Sequence, residues 1–150
     1  MIAGMKNFKD LYREITSNSN VKIIYGDTYN LLNNSIRALV TSGTATLESA
    51  FFNVPQIVCY KTSWLSYVIA KSLVKIKYIS LVNLIMDKEV VKELIQNDLN
   101  VINLTNELNN ILNEESQKVI YEDYADLVNI CGGSGASRLT ANEMLKTIGF

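Results

Sequence analysis

The chain has 150 residues, 48% hydrophobic and 19% charged, which suits a single domain over residues 1–150 with its own core. Fourteen basic and fifteen acidic residues leave a net charge of −1, which excludes a nucleic-acid binder that relies on a basic excess. Histidine is absent, and with it go Ser-His-Asp and Cys-His nucleophilic sites, imidazole bases and histidine-bound zinc.

Met1-Ile2-Ala3-Gly4 reads as the last residues of a buried strand meeting its turn glycine, so the chain is expected to begin partway through a larger protein. Residues 6–20 follow as a helix through Phe8, Leu11, Tyr12 and Ile15. Val21–Tyr25 is a strand stopped by Gly26, and Asp27 opens a short helix through Tyr29, Leu31 and Leu32. Ala38–Thr41 is the next strand. Beyond Ser42-Gly43, the spacing of Leu47, Ala50, Phe51 and Val54 predicts a helix that Pro55 ends. Gln56–Tyr60 is another strand. Near-continuous apolar strands alternating with helices indicate a parallel sheet covered on both faces.

Trp64 to about Lys75 reads as a helix and Tyr78–Val82 as extended. Leu104, Leu108, Ile111 and Leu112 mark one helix, Ile120, Tyr124, Leu127, Val128 and Cys131 a second, and Ala141, Met144, Leu145 and Ile148 a third. Gly132-Gly133-Ser134-Gly135 separates the last two, as a C-cap followed by a serine N-cap. Glu122, Asp123 and Asp126 fall off the apolar stripe and read as a solvated face. Cys59 and Cys131 lack metal-ligand spacing and read as core thiols. The lysines at 71, 75 and 77 break the most apolar stretch, so no segment is long enough to span a membrane.

The strongest local signal is Thr41-Ser42-Gly43-Thr44-Ala45-Thr46-Leu47-Glu48 at a strand-to-helix junction. A helix N-terminus carries unpaired N–H groups and partial positive charge, and Gly43 lets a ligand approach the backbone closely. Ser42, Thr44 and Thr46 add hydroxyls, so the turn suits a phosphate or pyrophosphate. A well-capped helix accounts for the same residues, since serine and threonine are favoured caps. Glu48 is not the acid of a capping box, because Ala45 stands three residues before it. An acid one turn into such a helix suits sugar hydroxyls. The residues alone leave both accounts open.

Ala38–Glu48 followed by Val54-Pro55-Gln56-Ile57-Val58-Cys59-Tyr60-Lys61 resembles the C-terminal half of lipid-A-disaccharide synthases. The likeness continues through Tyr78–Ile85 and Glu89-Val90-Val91-Lys92-Glu93-Leu94, and closes with Gly135-Ala136-Ser137. The resemblance implies a Rossmann-like three-layer α/β/α domain with a parallel sheet, half of a GT-B glycosyltransferase. It implies transfer of diacylglucosamine from UDP-2,3-diacylglucosamine to the acceptor 2,3-diacylglucosamine 1-phosphate, with release of UDP and inversion at the sugar carbon. Carried over, Ser42, Gly43, Thr44, Ala45 and Thr46 face the diphosphate and Glu48 the ribose. Asn83 matches a family site position, and Glu89, opening a following helix, approaches the donor. The catalytic base belongs to the N-terminal half of the family, so these 150 residues alone are expected to be inactive. No metal or other cofactor is expected, because no DxD motif is present.

The lysines within Trp64–Lys77 make that segment a candidate for peripheral contact with the inner face of the inner membrane, from the cytoplasm; a core-facing helix with solvated lysines is the commoner origin of such a pattern. Apolar surface near Met1, Ile2 and the final helix is expected to invite aggregation or homo-oligomerisation. Another GT-B transferase, a UDP-sugar epimerase and a non-catalytic structural or membrane-association fragment are the alternatives. The Val54–Lys61 strand and the Ser80–Leu84 segment favour the synthase family.

Overall fold

The computed structural model describes residues 1–63, 67, 77–132 and 135–148. In chain order the elements are β1 (Ile2–Gly4), a 3-10 turn and α1 (Lys9–Thr16), β2 (Ile23–Tyr25), α2 (Thr28–Asn33), β3 (Ala38–Val40), α3 (Thr44–Phe51), β4 (Gln56–Tyr60), α4 (Leu81–Met86), β5 (Lys92–Ile95), a second 3-10 turn, α5 (Val101–Leu112), α6 (Glu114–Ile130) and α7 (Ala136–Thr147). Among the described residues every strand pairing is parallel. β1 pairs with β2, and β3, β4 and β5 form a second sheet with β4 at its centre.

Successive side chains of a strand point to opposite faces, and β4 shows what that produces. Val58 packs on one face with Ala50 of α3, Val82 of α4, and Tyr124 and Leu127 of α6. Its neighbour Ile57 packs on the other face with Leu94 of β5 and Ile111 of α5. Both are fully buried. Helices therefore cover both faces of the β3–β5 sheet, the Rossmann-like three-layer arrangement expected from the sequence.

The structure corrects several local expectations. The helix expected over residues 6–20 is a 3-10 turn followed by α1, and none of its residues is buried. β1 is not a buried strand, since Ala3 is exposed. α3 ends at Phe51, before Pro55, in a Schellman motif: the Val54 N–H donates to the Ser49 carbonyl and the Asn53 N–H to the Ala50 carbonyl, with Asn53 left-handed at φ 55°. Val54 is buried from outside the helix, and Phe51 is exposed. The extended Tyr78–Val82 stretch stops at Ser80, whose Oγ accepts the Asn83 N–H and turns the chain into α4. No helix begins at Glu89; left-handed Asp87 ends α4 and the chain enters β5 at Lys92, a strand the apolar pattern did not indicate. The position capping α7 falls on Gly135, not on a serine. The Trp64–Lys75 helix lies, but for Tyr67, outside the described residues. Among those described, no helix is long and apolar enough to cross a membrane.

Candidate functional site

β3 carries the chain to the carboxyl edge of its sheet, where Thr41 and Ser42 lead into Gly43. Gly43 has φ 104° and ψ −159°, a backbone conformation that a side chain would strain. Nothing lies within 4 Å of where its Cβ would be, so open space stands above the backbone. α3 starts at Thr44 without a side-chain cap, which leaves N–H groups of its first turn without an intrahelical acceptor. Thr44 and Ala45 are exposed there, and Ser42 is half-buried. Thr46 differs: it is fully buried, its hydroxyl donates to the Gly43 carbonyl at 2.7 Å, and its own carbonyl accepts from Gln56 Nε2 at 2.8 Å. Its hydroxyl thus fixes the turn and is spent inside the fold.

Glu48 lies four residues into α3. With Gly26, Asp27, Thr28 and Tyr29 of the β2–α2 turn it lines a cleft of about 320 Å³. Two strand-to-helix junctions therefore supply this site.

Gly43 also forms a parallel bridge with Ser80, which sets the start of α4 beside the start of α3. The segment around Ser80 is fastened from below. Glu93 of β5 accepts the Ile79 N–H at 2.9 Å, the Ser80 N–H at 2.9 Å and Asn83 Nδ2 at 2.9 Å. Asn83 also donates from Nδ2 to the Val91 carbonyl at 2.8 Å, and its Oδ1 accepts the Val90 and Val91 N–H groups at 2.8 and 2.9 Å. Its two donors and two acceptor sites are filled, and it is fully buried. Asn83 thus holds the α4 loop in place and has no polar group left over for a ligand.

The structure brings Ser42, Gly43, Thr44, Ala45 and Glu48 together around one turn. It does not bring Glu89 there. Glu89 precedes the amino end of β5, at the sheet edge opposite the one Gly43 follows, and pairs with Lys92 at 3.2 Å. Two residues escaped the sequence reading. Glu93 was one charge among Val90, Val91, Leu94 and Ile95, and a carboxylate on such a strand needs several donors, which is the signal that could have exposed it. Gln96, at φ 54°, clasps the backbone of Thr62 past the carboxyl end of β4: the Thr62 N–H donates to its Oε1 at 2.8 Å, and its Nε2 donates to the Thr62 carbonyl at 3.1 Å. No local pattern announces that pairing across thirty-four residues. Cys59 is half-buried against the Ile57 cluster, and that burial raises the pKa of its thiol.

A parallel, doubly covered sheet with a glycine turn and an uncapped helix at its carboxyl edge defines the class as a Rossmann-like α/β domain. The family model described as lipid-A-disaccharide synthetase matches residues 3–146, and the chain belongs to that family. It is 44% identical over 100 residues to the lipid-A-disaccharide synthase of Psychromonas ingrahamii, covering 67% of this chain and 26% of that protein. Identity is 39% over 122 residues with the Syntrophus aciditrophicus synthase, covering 81% and 32% of the two chains. It is 32% over 145 residues with that of a Sulfurihydrogenibium strain, covering 95% and 37%. The matched region thus spans about a quarter to a third of these relatives.

Proposed function

We propose that this chain is the donor-holding part of a lipid-A-disaccharide synthase, over one domain of residues 1–150. The full enzyme is a glycosyltransferase that moves diacylglucosamine from UDP-2,3-diacylglucosamine to 2,3-diacylglucosamine 1-phosphate and releases UDP. The observation that carries this is the uncapped start of α3 behind Gly43, with Glu48 on the neighbouring cleft.

The chemistry follows from that geometry. As the glycosidic bond breaks, charge builds on the diphosphate oxygens. Amide N–H groups fixed in direction by a helix stabilise that charge without reorganising, as donors aimed at a departing anion do. The N–H groups of Thr44 and Ala45, with Ser42 beside them, take this role. Glu48, one turn along, accepts hydrogen bonds from the ribose hydroxyls. Inverting displacement needs an acceptor activated on the opposite face of the sugar, and in this scheme the base lies outside these 150 residues. They bind the leaving group and by themselves transfer nothing. The acylated substrates put the enzyme at the cytoplasmic face of a membrane, where Trp64–Lys77 is the candidate contact.

Calorimetric titration with UDP tests the assignment. Saturable binding that weakens in Gly43→Ala and Glu48→Ala is the expected result. A folded chain that shows no UDP binding, or binds equally in both variants, contradicts it. Incubation with both substrates should yield no disaccharide, and turnover by the chain alone would contradict the placement of the base.

A further inference from the structure

The diphosphate and the ribose have places in the site above, and the base does not. Resting on that nucleotide reading, we propose that Tyr29, braced by Phe52, is the wall on which the base of the donor nucleotide stacks.

The order of groups along the site leads there. The diphosphate sits at the start of α3, and Glu48 lies about 6 Å along the helix axis at 1.5 Å per residue. Across from Glu48 the cleft is lined by the β2–α2 turn, from Gly26 to Tyr29. Its volume, about 320 Å³, lies at the lower end of the range for small-molecule pockets. A nucleotide laid from the α3 turn past Glu48 delivers its base to this end of the cleft.

Tyr29 is built for that contact. It is the second residue of α2, and 61% of its surface is exposed beside the cleft. Its ring is stacked on Phe52, the residue that follows α3, with centroids 5.6 Å apart and planes 23° from parallel. Stacking on one side fixes the orientation of the ring and leaves the rest of it to the cleft. A flat, prealigned aromatic surface beside a polar cleft gains free energy from a planar base with little ordering cost. Because every base has a π-face, Tyr29 supplies affinity for the base and not the choice among bases.

The test compares UDP with ribose 5-diphosphate, which lacks the base, on the full chain. Tyr29→Ala should weaken UDP about tenfold, the scale of one base–aromatic stack, while ribose 5-diphosphate changes by less than about twofold. Tyr29→Phe should leave both ligands unchanged, because stacking does not need the hydroxyl. On the unaltered chain, the H5 and H6 protons of bound uracil should move upfield in the NMR spectrum, the ring-current signature of a stacked base. An equal loss for both ligands in Tyr29→Ala, unchanged UDP affinity, or an absent upfield shift would overturn the stacking role while UDP binding stands. A chain that binds neither ligand would overturn the nucleotide site itself, and the stacking role with it.

Discussion

At the scale of single residues, the interior of the site depends on two polar side chains that need not touch the donor. Asn83 and Glu93 together make six hydrogen bonds that hold Ile79, Ser80, Val90 and Val91, and a seventh joins the two side chains to each other. Asn83→Ala would leave buried N–H and C=O groups unpaired and should destabilise the fold by about 3 kcal/mol. Urea denaturation measures this; a midpoint unchanged from that of the parent chain would contradict it. Tyr124 makes a different forecast. Burial raises the pKa of its phenol above the ordinary value of 10, because the charged form would be desolvated, although Gln56 acts in the other direction. Above about pH 10 the unfolded phenol begins to lose its proton while the folded one keeps it, which favours the unfolded state. The contribution is therefore complete below about pH 10 and falls as pH rises beyond it. Thermal melts from pH 9 to pH 11 should show a steeper decline for the parent chain than for Tyr124→Phe. Parallel declines would contradict the shift.

At the scale of elements, the strand-to-helix turn after β3 concentrates the chemistry. Gly43→Ala meets no steric obstacle, yet it forces a side chain onto φ 104°. It should cost about 1–3 kcal/mol of stability by backbone strain and weaken UDP binding by disturbing the N–H groups behind it. Chemical denaturation and titration of the same variant check both halves of that statement. The turn was legible in the sequence because an apolar strand, Gly43 and the stripe of Leu47 and Ala50 are local signals. β5 was not. Its four residues carry Lys92 and Glu93, and only the buried pairing with β4 and the donors offered to Glu93 make that charge tolerable. Asn83 could be read as a site position by resemblance, but its bonding partners lie seven to ten residues away and depend on how α4 folds back along β5. The early end of α3 was missed because Pro55 is a louder stop signal than Asn53, whose left-handed conformation closes the helix first.

At the scale of the whole molecule, the β3–β5 sheet is well covered and the ends of the chain are not. Phe8 of the first 3-10 turn, Leu11 and Ile15 of α1, and Leu139, Met144 and Leu145 of α7 are all exposed. Exposed apolar side chains in such number favour association. Light scattering after size exclusion should show mass rising with concentration, and Leu11→Lys with Ile15→Lys should reduce the rise. A monomer at every concentration would contradict it. If the leaving nucleotide rests on the α3 turn, an amide NMR map of the chain titrated with UDP will show it there. The largest shifts should fall at Gly43, Thr44 and Ala45 and along Gly26–Tyr29, with Glu89 and Lys92 unmoved. Shifts centred on Glu89 and the amino edge of β5, or none at all, would contradict it.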